Sequence, residues 1–303
     1  MSETARGVLG ANLSLLGAIV IWGSFFPLMA KLLQTWDPYS NAAGRAALGA
    51  LALLAMATAR HGTSVFRTRL PWRRVLALAV FGIASFNILM TLGVAIAGPI
   101  SASIVATTGP VSAAVLGRVL YKSRIRPIIV VAATLAMAGG VCVAMGRGGT
   151  IADLRGGELL VLGASVSWLW YSMRINEWLA DVPHLQATAI TYLVAAVVLV
   201  LAVGAIGALG LHPLSIDLSA GSIALMVTVS LSATAIAVVL WLRGVKRLGV
   251  TVGAAYGNLV PVITVAAAAP FGIVPHALEL VGGGIVIVGV MLAQWGTRRG
   301  NPL

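Results

Sequence analysis

The chain has 303 residues, 59% of them hydrophobic and only 9% charged, and its mean hydropathy is +1.01; soluble domains carry roughly 25% charged residues, so water is not its main solvent. The net charge of +12 does not indicate nucleic acid, because the basic residues sit in short gaps between apolar runs and form no basic face interleaved with aromatics. Cys142 is the only cysteine, which excludes an intramolecular disulfide and a cysteine-based metal cluster, and no metal or other cofactor is implied.

Apolar stretches of roughly 20 residues, enough to cross a bilayer, predict an all-α membrane protein with ten transmembrane helices. They fall near 12–33, 40–59, 74–96, 101–120, 126–145, 158–178, 185–210, 220–242, 249–271 and 277–296. MSETARG leads into the first run with no small-residue cleavage site after it, so that helix is read as retained. With the N-terminus in the cytoplasm, Lys31, Arg147 and Arg155 fall outside and Arg45 inside a helix, while every other Lys and Arg falls on the inner side. That bias places both termini in the cytoplasm, in a bacterial-type inner membrane, and a helix more or fewer would put alternate basic loops on the wrong side.

The chain repeats itself. Helix 1 carries Trp22-Gly-Ser-Phe-Phe26 and helix 6 carries Trp168-Leu-Trp-Tyr-Ser172; helix 4 carries Thr107-Thr-Gly-Pro110-Val and helix 9 Asn258-Leu-Val-Pro261-Val. The Gly139-Gly140 step of helix 5 has a weaker counterpart at Gly289. The repeats are read as 1–147 and 148–303. Five helices per half is an odd number, so the halves enter the membrane in opposite directions as an inverted repeat, with the functional site near the midplane between them.

Trp22-Gly-x-x-Phe26 followed by Lys31, Arg45 after Asp37-Pro38, and a near-continuous join of helices 3 and 4 running to Pro110 resemble the EamA-type drug/metabolite transporters. The resemblance covers nearly the whole chain and is greatest to the aromatic amino acid exporters of that superfamily. It implies two EamA repeats, a central cavity between them and alternating access. The family's repeats usually carry a Glu just after the fourth and ninth helices; here those places read Tyr121-Lys122 and Gly272-Ile273.

Five of the eight tryptophans lie near helix ends, as expected of interfacial anchors: Trp36, Trp72, Trp178, Trp241 and Trp295. Trp22, Trp168 and Trp170 fall near helix middles. Trp22 and Trp168 occupy matching places and are read as cavity walls; Trp170 stands between wall and packing. Helical spacing adds Phe25, Phe26 and Met29 to the first stripe, and Tyr171, Ser172 and Ile175 to the second. Asn87, Met90 and Thr91 share a face of helix 3, and with Thr107, Thr108, Ser230, Thr234, Tyr256 and Asn258 they lie in the helices the family uses to line its cavity. For the Ser and Thr residues the simpler reading is hydrogen bonding between helices. Arg45 is read as snorkelling to the outer surface, with an extracellular gate or a carboxylate attractant as the sharper alternative. Pro110 and Pro261 break their helices and are candidate bending points, static kinks being the competing reading.

All eight acidic residues fall in loops, tails or terminal helix turns. No buried carboxylate is then available for proton-coupled drug antiport, too few buried cations for phosphate-bearing substrates, and no constellation for an enzyme at membrane depth. The expected substrate is a small neutral molecule, foremost a neutral or aromatic amino acid exported by a facilitated route. Export of other small metabolites or hydrophobic drugs is the alternative. A monomer in the bilayer suffices for this.

Overall fold

The computed structural model describes residues 3–62, 65, 69–122, 127–145, 156–248, 253 and 256–298. Arg67, Arg124, Arg126, Arg147, Asp153 and Arg155 lie outside the described residues. Helix α1 is Glu3–Leu32 and α2 is Pro38–His61. Helix α3 begins as Trp72–Ala77, passes through a π-helical turn at Leu78–Ala84 and continues as Ser85–Ala97; α4 is Pro99–Ala106, α5 Gly109–Tyr121 and α6 Pro127–Met145. In the second half α7 is Gly157–Trp178 and α8 His184–Ala208. Helix α9 runs Ala220–Ser230, π-turn Leu231–Ile236, then Ala237–Leu248; α10 is Val260–Ala268 with a 3-10 turn Ala269–Phe271, and α11 is Ala277–Arg298.

The protein is all-helical and its apolar helices make it a multi-pass membrane protein. Five described helices are long and apolar enough to cross a bilayer: Gly7–Leu32, Pro38–His61, Trp72–Ala97, His184–Ala208 and Ala220–Trp241. Taken together as one broken span, the pair Pro99–Ala106 and Val111–Tyr121, bent by 48°, makes a sixth. Val130–Val143, Val260–Phe271 and Ala277–Leu292 are apolar but shorter. Helix α7 has the length, but Ser165, Ser167, Ser172, Arg174, Asn176 and Glu177 dilute its apolar character. Large apolar side chains such as Leu13, Leu51, Phe81, Met137, Leu159 and Leu201 stay exposed, as lipid-facing residues do.

Local sequence sets the joints. Asp37 caps α2 by accepting from the backbone N–H of Tyr39 and Ser40, and Pro38 occupies the first turn, where its missing N–H costs nothing. Gly98, at φ 76°, turns the chain from α3 directly into Pro99 at the head of α4, the near-continuous join expected from the sequence. Pro110 and Pro261 each sit in the first turn of a half-length helix, α5 and α10. They start helices after a break and do not kink continuous ones. The side chain of Pro110, like that of Trp295, lies outside the described residues.

Helices pair across the halves: α2 with α8, α6 with α11, α1 with α9, and α3 with α7. Exchanging the halves leaves this list unchanged, since the first two pairs map onto themselves and the last two onto each other. The π-turns obey the same exchange, recurring in α3 and α9. The α6–α11 contact is backbone on backbone: a Cβ at Gly139 would lie 2.6 Å from the Gly282 carbonyl oxygen, and one at Gly282 would lie 2.5 Å from that of Gly139. Gly139, matched in the sequence to Gly289 as a repeat position, thus packs in the fold against Gly282.

Candidate substrate cavity

A cavity of about 320 Å³ lies where α1, α2, α3, α7, α8, α9 and the two broken helices converge, near the lower end of the roughly 300–1,000 Å³ typical of small-ligand sites. Its walls are aromatic. Trp22 and Trp168, one from each half, both line it, with Phe25, Phe26, Phe86 and Trp241. Trp22 packs against Trp241 with ring centroids 5.4 Å apart and donates its indole N–H to the Ala233 carbonyl at 3.1 Å. Trp168 packs against Phe86 at 5.4 Å. These contacts fix the ring planes, so the walls are preorganised.

Polar groups enter at a few points: Arg45, Asn87, Thr107, Ser165, Tyr192, Thr234 and Asn258 line the cavity, and no Asp or Glu does among the described residues. The Thr107 hydroxyl donates to the Ile104 carbonyl at 2.7 Å, and the Ser165 hydroxyl to that of Val161 at 3.0 Å, so both already serve their own helices. Asn87 donates its amide to the Ile83 carbonyl at 2.9 Å, which assigns the amide orientation and leaves Oδ1 as the free end. Met90 completes the face predicted on α3.

One end of the cavity is sealed by packing. Phe26, Met29, Met90, Val94, Val105 and Val161 form a buried cluster, and Leu32, Met226 and Val229 another beside it. Beyond them the α1–α2 turn is tied to the segment before α9. Asp37 N–H donates to the Ser215 carbonyl at 3.0 Å, Ser215 N–H to Asp37 Oδ2 at 2.9 Å, and the Trp36 indole to Ser222 Oγ at 2.7 Å. Burial pushes the Asp37 carboxyl up, but hydrogen bonds from Ser40, Ser215 and Tyr39 outweigh it and hold it below its ordinary value. The lining extends the other way, toward Trp241, Gly257 and Asn258.

Comparison with known proteins adds the family. The model of the EamA-like transporter family matches residues 9–145 and again 155–295. The chain belongs to the EamA-like transporter family. It is also similar to the "Uncharacterized transporter YyaM" of Bacillus subtilis (strain 168), 25% identical over 292 residues and 94% of each chain. A solved structure described only as "Crystal structure of protein" is 23% identical with a TM-score of 0.66, over 95% of this chain and 98% of that one, which supports the fold.

Several expectations for this EamA-like transporter need correction. Arg45 does not snorkel to the surface: it is 6% exposed, donates to Asn41 Oδ1 at 3.1 Å and Thr91 Oγ1 at 2.7 Å, and lies 5.0 Å from the Phe25 ring centroid. Tyr171 and Tyr256 are not among the lining residues. The Tyr171 hydroxyl pairs with Thr191 at 2.9 Å, behind Trp168, and the Tyr256 hydroxyl donates to Asn12 Oδ1 at 2.8 Å. Trp170 packs on Trp178 at 5.6 Å and Phe81 at 6.4 Å, away from the cavity. Trp241, expected at the interface, is a wall. Tyr192 was missed, although the repeat held the signal: it lies near the start of α8 much as Arg45 does in α2.

Proposed function

We propose that this protein is a ten-span exporter of neutral amino acids, aromatic ones included, and of related small metabolites. It works by alternating access between repeats 1–147 and 148–303, both termini being cytoplasmic. The observation that carries the reading is one cavity walled by Trp22 from the first half and Trp168 from the second, with no lining carboxylate among the described residues. Aromatic walls supply stacking and dispersion area for an apolar side chain. A site without a carboxylate has no proton carrier of the kind a drug/proton antiporter needs, so transport follows the substrate gradient. The roles of Trp22, Phe26, Asn87, Met90, Thr107, Trp168 and Asn258 as substrate contacts, and of Pro110 and Pro261 as bending points, belong to this proposal. The test is uptake of radiolabelled phenylalanine into proteoliposomes with and without a pH gradient. Movement in both is expected; strict dependence on the gradient overturns the facilitated mechanism. Trp168→Ala is expected to lower uptake severalfold while the protein still purifies as a folded species.

A further inference from the structure

The Arg45 guanidinium is buried in an apolar setting with no carboxylate partner among the described residues. Removing a partner from a buried charge is costly because the charge is left uncompensated. Here the compensation is partial: Asn41 and Thr91 take one N–H each from Nε and Nη2, and the Phe25 ring lies 5.0 Å from the guanidinium. A guanidinium carries five N–H donors in a planar fork. The remainder of the fork, including both Nη1 hydrogens, has no hydrogen-bond partner among the described residues, and Arg45 lines the cavity with Tyr192.

Thr91 holds this cation in place: its fully buried hydroxyl accepts from Arg45 and donates to the Asn87 backbone carbonyl one turn back at 2.7 Å, while the Asn87 side chain is held separately by the Ile83 carbonyl. Asn87 Nδ2 is committed to the Ile83 carbonyl, which leaves Oδ1 as the acceptor able to serve a ligand. A donor fork and an amide oxygen lining one cavity, beside indole walls, complement a carboxylate and an ammonium on one carbon bearing an apolar side chain.

We propose that Arg45, Thr91 and Asn87 form the recognition head for an α-amino acid: Arg45 takes the carboxylate, Asn87 Oδ1 takes the ammonium, Thr91 positions Arg45 and the Ile83 carbonyl positions the Asn87 amide. This rests on the amino acid reading above and sharpens it, because it requires both charged groups on the substrate. Amines lacking the carboxylate and acids lacking the ammonium are rejected, and Arg45 is a specificity residue of the site.

The experiment is counterflow of radiolabelled phenylalanine in proteoliposomes, with unlabelled phenylalanine, phenethylamine or 3-phenylpropanoate as competitor. In the wild type each analogue should compete about tenfold or more weakly than phenylalanine, the size of one charge-assisted contact. In Arg45→Gln the preference for phenylalanine over phenethylamine should vanish while Arg45→Lys retains part of it; in Asn87→Leu the preference over 3-phenylpropanoate should vanish. A merely structural arginine would lower total transport without altering the ranking of competitors. Phenethylamine competing as well as phenylalanine in the wild type overturns the inference alone, whether or not the variants fold. Absence of phenylalanine counterflow in the wild type overturns the amino acid reading and this inference with it.

Discussion

Tyr171 and Trp241 show how a hydroxyl or a ring divides between packing and transport. The Thr191 hydroxyl that pairs with Tyr171 also reaches the carbonyls of Ala187 at 2.9 Å and Thr188 at 3.0 Å. Tyr171→Phe therefore leaves Thr191 satisfied and keeps the ring 5.7 Å from Trp168. It should cost about 0.6 kcal/mol, the mean for hydrogen bonds between membrane helices, and leave phenylalanine uptake unchanged; thermal melting and uptake measured together check this. Trp241→Ala should do the opposite. It removes a wall and the partner of Trp22, and the loss of an aromatic pair worth roughly 0.5–1.5 kcal/mol predicts a rise in KM for phenylalanine of about twofold to thirteenfold. Trp241 was misread for a specific reason: the sequence ends helix 8 at 242, whereas α9 continues to Leu248, so an apparent helix end is well inside the helix. Arg45 was misread because snorkelling is a rule about depth, and depth does not say which way a side chain points around the helix axis.

Between elements, the α1–α2 turn holds the second half through Asp37, Trp36 and the Tyr39 ring, which meets His212 edge-on at 4.9 Å. The proposed alternating-access cycle requires this seal to open. Because the folded Asp37 carboxyl titrates below its ordinary 3.8, its contribution is complete above that value and is lost as pH falls through the folded value. Asp37→Asn removes that dependence: the difference in melting temperature between wild type and variant should be constant at neutral pH and shrink below about pH 4. A gap that widens on acidification would mean that Asp37 is not held ionised. The α6–α11 crossing makes a different demand, since a side chain at Gly139 meets backbone on the facing helix and backbone cannot step aside. Gly139→Ala should destabilise the protein by about 1–3 kcal/mol, the range for overpacked contacts, without changing the ranking of substrates. The sequence supplied the glycine and the repeat but not the partner, because helix azimuth is fixed only when two helices dock.

At the scale of the whole molecule, the apolar runs, the repeated Trp and Pro motifs and the place of Trp22 and Trp168 on one cavity were legible, because lipid solvation is averaged over roughly 20 residues and leaves a long signal. The lining of the cavity was legible only in part, since it depends on rotation of each helix by a fraction of a turn; Tyr192 and Trp241 belong to that fraction. Charge then bears on orientation. Among the described residues Arg60, Arg73, Arg118, Lys122, Arg174 and Arg243 sit at the end of the helices opposite Asp37, and Lys31 is the cation near Asp37. Basic loops remain on the cytoplasmic side during insertion, so the Asp37 seal should face outward and the Trp241 side of the cavity inward. In a Cys142→Ala background, Leu211→Cys, at a position 72% exposed on the Asp37 end, should react with a membrane-impermeant maleimide in intact cells. Lys122→Cys should react only after permeabilisation. The reverse pattern would invert the protein in the membrane and turn the sealed end toward the cytoplasm.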